Sequence, residues 1–402
     1  MKASQVYSLV NEMASQSLGS KAVAVVDARS LVSLGDVVLS SSTDKEAFLN
    51  VLMDRVGRTI IAVRDYEPKT RRVMKRDFEW GAILQKISFT MGNAVENSGW
   101  DIPITSENKQ ANPFDVVPST AVDQKLFKAL ATWEYDDVIP DYQMKVAFTN
   151  ADAMAGFIAG IYTTISNAMA VALENTTDLA VCTAIANIAV EAQKSQGNTN
   201  CLRNLLNEYN TKVLGLTWDS SAPPAGWLYV AGCLTDKDFL KYVSKELAEL
   251  VGHMKRMSKA FNVERHERFT PADKCVVEVL QHVASASKFF LEADTYHNTL
   301  VSLPAYEEVE FWQGSGVDFG FADCSKVSIK TGSSSSGTTT TLTGVIAFVH
   351  DDDGVASIMT NMRSHSIYNP KQEVTNIFRK ADKGYAVDLS ENGVVLYVAD
   401  PS

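Results

Sequence analysis

The sequence predicts an α+β protein, and three observations carry that prediction. A stretch from about Thr149 to Gln193 is rich in alanine and repeats apolar residues at helical spacing. A second pattern of the same period begins at Thr235 and includes Met257. Around and after it lie short β-branched runs, Cys275-Val-Val-Glu-Val279, Gly344-Val-Ile-Ala-Phe-Val349 and Gly393-Val-Val-Leu-Tyr-Val398, which read as strands.

The bulk numbers bound the rest. At roughly 100–200 residues per domain, 402 residues make two or three packed units or one larger composite fold. Apolar residues are 46% and charged residues 21%, ordinary for a soluble globular chain that buries a core without metal or disulfide. There are 37 basic and 48 acidic residues, a formal charge of −11, which argues against a protein whose main task is to grip phosphate. It suits a wall that lies beside nucleic acid without holding it. Cys182, Cys201, Cys233, Cys275 and Cys324 are odd in number, widely spaced and free of any C-x-x-C, so they read as reduced, mostly buried thiols in a cytosolic setting. The N-terminus has no continuous apolar run and is not a signal peptide. Val6, Leu9, Val10 and Met13 instead predict a short amphipathic helix.

Along the chain, residues 17–42 read as an extended, glycine- and serine-punctuated arm. Thr43 and Glu46 form a capping-box pattern for a helix carrying Phe48, Leu49, Leu52 and Val56 and stopping at Gly57. Arg58 to Arg64 reads as a strand, and a second strand returns at Ala82–Phe89. The intervening tip carries Arg64, Lys69, Arg71, Arg72, Lys75 and Arg76 interleaved with Asp65, Glu67, Asp77 and Glu79. Strand, charged tip, strand predicts a long hairpin at about 60–90. Residues 91–118 are irregular, and a short helix is expected over Ala121–Trp133.

The long segment starts at a capping residue, Thr149 or Asn150, with Asp152 suited to the positive helix end. Phe157, Ile158, Ile161, Ile165, Met169 and Ala172 mark one face, and twelve alanines lie between Ala151 and Ala192. Asn175-Thr-Thr-Asp178 leaves a straight and a kinked or two-piece helix both open. The helix at Thr235, with Asp238 at its third position, carries Phe239, Leu240, Val243, Leu247, Leu250, Val251, Met254 and Met257. Trp227–Val230 and Thr299–Leu303 are further strand candidates, and the Ser/Thr/Gly tract 332–341 reads as an exposed loop or hairpin tip.

No catalytic constellation stands out. There is no G-x-S-x-G, Walker A or G-x-G-x-x-G, and Gly314-Ser-Gly316 reads as a turn. The six histidines show no ligand spacing, and His253 and His266 read as surface or boundary residues. Asp351-Asp-Asp-Gly354 lacks the alternation and distant glutamate of a calcium loop and reads as a solvated turn. Gly156-Phe-Ile-Ala-Gly160 sits in an uncharged stretch and raises a membrane span. Thr163, Thr164, Ser166 and Asn167 put polar atoms through its middle, so small residues packed closely against a sheet or other helices are the better account. The mixed signs at 64–79 favour a protein contact over nucleic acid.

The order of elements carries a resemblance: arm, capped helix, charged hairpin, long helix, α+β unit, returning strands. Asp54-Arg-Val-Gly57 followed by Ile60-Ile-Ala-Val-Arg64 and the basic cluster, Lys145-Val-Ala-Phe-Thr149, and Tyr368-Asn-Pro370 ahead of Val394-Val-Leu-Tyr-Val398 are similar to segments of major head proteins of phi29-like podophages. The chain thus resembles the major capsid proteins of tailed bacteriophages, which have the Hong-Kong-97-type fold.

That resemblance implies an N-terminal arm and capped helix at 1–57, an extended loop at 58–118, and a peripheral domain at 119–225 with a spine helix at 149–193. An axial domain at 226–342 and returning strands at 343–402 complete it. It implies no cofactor and no enzymatic activity, self-association into pentamers and hexamers around packaged DNA touched only weakly, and no membrane. The place implied is the virion, with assembly in the host bacterial cytoplasm. Arg64, Lys69, Arg71, Arg72, Lys75, Arg76, Asp77 and Glu79 become candidate inter-subunit contacts. Some relatives carry an immunoglobulin-like domain after the last strand, where this sequence ends; with its short arm, a separate scaffolding protein and a portal are expected. An encapsulin-like shell around a cargo enzyme is the alternative on the same fold, and an α+β enzyme is the alternative from another class.

Overall fold

A computed structural model describes residues 3–63, 74–75, 83–89, 122–128, 131–149, 151–289, 305–313, 319–331 and 338–401. It is mixed helix and sheet, as the sequence predicts. The chain divides into two compact units, each made of three separate stretches: 1–80, 130–180 and 356–385 form the first, and 81–129, 181–355 and 386–402 the second.

The first unit opens with three helices, Ala3–Leu18, Ala28–Leu39 and Ser42–Val63. Val6, Val10 and Met13 are buried, as their spacing requires. The extended arm expected over 17–42 is not there. Asp27 caps the second helix through a reciprocal box with Ser30, and Leu31, Leu34 and Val38 point inward. Asp27 is exposed, and its hydrogen bonds from the Ser30 backbone and hydroxyl hold its carboxyl below the usual range. Gly35 meets Phe148 so closely that a Cβ there would stand 2.7 Å from the ring. The Asn11 side chain pairs both ways with the Val25 backbone, at 2.8 and 2.6 Å, and pins the connection between the first two helices.

The third helix also corrects the sequence reading. It starts at Ser42, so Thr43 lies in its first turn, and Glu46 accepts the backbone N–H of Tyr368 instead of closing a box. It runs through Gly57 to Val63, where a strand was expected. One interior glycine costs only about 1 kcal/mol, and Val56, Ile60 and Val63 continue the helical period of Leu52.

A four-stranded sheet completes this unit in the order 74–75, 355–369, 374–387, 131–140. The helix expected over Ala121–Trp133 is instead two strands, Val122–Lys128 and Ala131–Pro140. The second alternates along its length, with Trp133, Tyr135 and Ile139 turned inward and Glu134, Asp136 and Val138 outward. Lys45 and Asp141 form a buried ion pair at 2.5 Å, with the Tyr368 hydroxyl 3.2 Å from the same carboxylate oxygen.

The long helix is one uninterrupted element, Ala151–Ala192, ~63 Å long at 1.5 Å per residue. No break occurs at Asn175–Asp178. Thr176 and Thr177 hydrogen-bond back to the carbonyls of Ala172 and Leu173, at 2.7 and 3.0 Å, so their hydroxyls are satisfied inside the helix. Ala172, Ala180, Ala184, Ala186 and Ala189 are buried, as close packing demands. The two glycines are not part of that packing: Gly156 and Gly160 are exposed, and a Cβ on either would meet nothing within 4 Å. Among the described residues no helix is long and apolar enough to cross a membrane.

The second unit is built on a five-stranded sheet in the order 202–204, 393–397, 345–351, 275–280, 307–309. Its middle strand, Val345–Asp351, is buried at every position and antiparallel to both neighbours. The helix Lys237–Met254 buries Phe239, Leu240, Val243, Leu247, Leu250 and Met254, with Asp236 rather than Thr235 capping it. Met257 lies beyond the helix and is exposed. No strand forms at Trp227–Val230: Gly226 takes φ +86°, Trp227 bonds back to Pro224, and Val230 begins a short helix. Thr338–Leu342, which overlaps the end of the Ser/Thr/Gly tract, is a strand paired antiparallel with Val327–Thr331; residues 332–337 lie outside the described residues. Residues 91–118, 299–303 and Gly314-Ser-Gly316 lie outside the described residues.

Candidate assembly site

Two seven-residue strands of the second unit, Ile83–Phe89 and Val122–Lys128, pair antiparallel into a ribbon. The hairpin expected at about 60–90 is therefore a different ribbon: the strand at 83–89 is right, but its partner lies after residue 121 and not before residue 64. The helix at 42–63 has taken the residues expected to form the first arm.

Register puts Lys86 directly opposite Lys125. Like charges in that position repel. Here they converge on one carboxylate: Asp388 lies 2.6 Å from the Lys86 ammonium and 2.9 Å from that of Lys125. Glu391 takes Lys86 as well, at 2.9 Å, and Glu264 takes Lys125 at 2.6 Å. Arg268 stands 3.6 Å from Glu391, and the His266 ring 3.2 Å from Glu264. Burial by itself raises the Asp388 carboxyl, but the two lysines outweigh it and hold that group well below the usual carboxylate range. Burial also works against the Lys125 charge, and Glu264 and Asp388 outweigh it to raise that ammonium.

The other ribbon face differs. Ile87 and Leu126 are each 54% exposed, and Gln124 beside them is exposed too. Gln124 pairs with Ile87, and Ile87, Gln124 and Leu126 lie on the side of the ribbon away from the lysines.

The candidate contact residues from the sequence fall elsewhere. Arg64, Lys69, Arg71, Arg72, Arg76, Asp77 and Glu79 lie outside the described residues. Lys75 is in the two-residue strand Met74–Lys75, paired parallel with Ala356 and Ser357 in the first unit. Reading the sequence missed Lys86, Lys125, Asp388, Glu264 and Glu391. One signal was legible: Asp388-Leu-Ser390 is a turn in which the Asp388 carboxylate accepts both the N–H and the hydroxyl of Ser390. Its lysine partners were not, since Lys125 is 263 positions away.

Other sites considered in the sequence resolve into structure. Asp351 is buried and caps the turn Asp352–Gly354, while Asp353 pairs with Lys274. Among the described residues no group of His, Cys, Asp or Glu is arranged to hold a metal. His350 is buried and stacked on Phe348. All five cysteines are free thiols, four of them buried. Burial pushes Cys201 and Cys233 up to about 12.

Two α+β units, a helix of 42 residues and a ribbon rooted in an ionic cluster describe a structural building block. The chain belongs to the phi29-like phage major capsid protein family, whose model matches residues 8–397. It is a major head protein of a tailed phage, a structural component of the virion and not an enzyme.

Solved structures similar to it include the capsid of Staphylococcus phage Andhra, at 10% identity and TM-score 0.49, covering 82% of this chain and 83% of that one. The capsid of cyanophage P-SCSP1u is 10% identical with TM-score 0.42, over 84% and 91% of the two chains. The mature capsid of bacteriophage PhiM1 is 10% identical with TM-score 0.38, over 79% and 83%. No curated protein sequence matches.

Proposed function

We propose that this head protein self-assembles into pentamers and hexamers of an icosahedral shell around a double-stranded DNA genome. The observation that carries this reading is the family match over residues 8–397. In the proposal the first unit serves as the peripheral domain and the second as the axial domain, with Ala151–Ala192, whose residues 151–180 belong to the first unit and 181–192 to the second, as the spine helix. The reach to a neighbouring subunit comes from the ribbon. Its exposed Ile87 and Leu126 support this, and the N-terminal helix is less available for it because Val6, Val10 and Met13 are committed to the first unit's core. Arg64, Lys69, Arg71, Arg72, Lys75, Arg76, Asp77 and Glu79 remain proposed contacts to neighbours.

The formal charge of −11 supports a wall that touches packaged DNA weakly and without sequence preference. Assembly in the host cytoplasm with a separate scaffolding protein and a portal completes the proposal; the five free thiols are in keeping with a reducing compartment. The test is negative-stain electron microscopy with light scattering on the purified protein, alone and with its scaffolding partner. Closed particles with five- and six-fold clusters are expected. A compact monomer at every concentration and with every partner overturns the reading.

A further inference from the structure

An isolated two-stranded ribbon is marginal in water, and this one also sets two lysines directly opposite one another. Its described part therefore needs support from the body of the second unit. The support is ionic and comes from two places. Asp388 and Glu391 lie just ahead of the strand Gly393–Tyr397, and Glu264 lies in the loop after the helix Lys237–Met254. Lys86, on one strand, is held by Asp388 and Glu391; Lys125, on the other, by Asp388 and Glu264. Each ribbon strand is thus tied to its own carboxylate and both to a shared, buried one. Two separate ties fix the ribbon's rotation as well as its position, which a single tie does not.

We propose that Asp388 is the pivot of the subunit: by holding Lys86 and Lys125 together it sets the bearing of the ribbon on the second unit, and so decides whether assembly gives a uniform particle. The consequence for assembly rests on the shell reading above; the pivot itself does not. Arg268 stands beside Glu391 and the His266 ring beside Glu264, at the edge of the cluster. Asp388 is the carboxylate shared by both strands. Loss of its charge removes the shared tie and leaves the two lysines facing each other, each drawn toward a different element.

Hydrogen exchange on the full chain tests the pivot, comparing the wild type with Asp388→Asn and with the charge-preserving Lys86→Arg. In Asp388→Asn, exchange at 83–89 and 122–128 rises by about tenfold or more, while 345–351 and 393–397 keep their protection. Lys86→Arg stays near the wild type. Lys125→Gln keeps the Lys86–Asp388 pair and loosens mainly 122–128, which gives a second reading if Asp388→Asn does not fold. Unchanged ribbon exchange, or a rise spread equally over the five-stranded sheet, overturns the pivot. Electron microscopy of assembled material tests the consequence: irregular particles are expected from Asp388→Asn and uniform ones from Lys86→Arg. A loosened ribbon with uniform particles overturns the link to assembly and leaves the shell reading intact. Failure of the wild type itself to form particles counts against the shell reading, and the exchange result stands independently.

Discussion

Lys86 and Lys125 face one another across the ribbon, and a single buried carboxylate, Asp388, lies within 2.9 Å of both ammonium groups. This arrangement turns a repulsive cross-strand pair into a tie. It also makes the energetics of the three residues inseparable.

A double-mutant cycle reads that coupling. Removing one partner of a buried ion cluster leaves uncompensated charge and costs about 3 kcal/mol, so Asp388→Asn lowers the urea midpoint of the second unit strongly. Lys125→Met costs less, because Lys86 and Asp388 stay paired. The double variant is more stable than the sum of the two singles implies, by about 1 kcal/mol or more. Strict additivity in urea unfolding contradicts the shared-carboxylate geometry.

The same cluster sets a pH window. The Asp388 carboxyl is held below its ordinary value, so its contribution is complete above the unfolded carboxylate value of about 3.9 and fades as pH falls below it. The Lys125 ammonium is raised, so its contribution is complete below the unfolded lysine value of about 10.4 and fades as pH rises above it. Stability of the second unit against pH therefore loses part of its fall at both ends in the Asp388→Asn/Lys125→Met variant. Curves of identical shape for that variant and the wild type contradict the assignment.

In the first unit, Gly35 packs directly against the Phe148 side chain. A methyl group there stands 2.7 Å from Phe148 atoms that include the Cβ, which cannot swing away. Gly35→Ala should destabilise the unit by about 1–3 kcal/mol by overpacking. Phe148→Leu in the same background recovers part of that loss, as measured by thermal unfolding.

Gly156 and Gly160 predict the opposite sign. Both sit in the interior of the long helix with open space where a Cβ would be. Replacing either by alanine stabilises the isolated subunit by up to about 1 kcal/mol, the helix-propensity difference. A fall in melting temperature shows that the glycines are packed after all.

Thiol chemistry checks the second unit's core. With Cys201 and Cys233 pushed up to about 12 and Cys275 to about 11, the thiolate is a minor species at pH 8. A thiol reagent at pH 8 labels these three slowly in the native protein and rapidly in urea. Rapid native labelling of Cys201, which is fully buried, contradicts the fold around it.

Elements whose period is local were legible in the sequence. The long helix was, because its apolar and alanine positions repeat every turn, and so were the strands at 275–280, 345–351 and 393–397, whose β-branched runs lie between turn residues. The helix at 28–39 was also within reach through Asp27-x-x-Ser30 and the spacing of Leu31, Leu34 and Val38, but serines and glycine beside it read as an arm. At 58–63 and 121–133 the short apolar runs fit either period, and tertiary context decided: the first joined a helix already begun at Ser42, and the second became strands with inward and outward sides.

What the sequence alone determined was the class of protein, through short segments akin to those of a capsid family, matched over residues 8–397. What only the tertiary structure decided was how the ribbon is made and held. Strand partners are chosen by chain closure over long distances, and Ile83–Phe89 takes a partner beginning at residue 122. A carboxylate 263 positions from its lysine has no local signature, because the energy that joins them exists only once both are removed from water side by side.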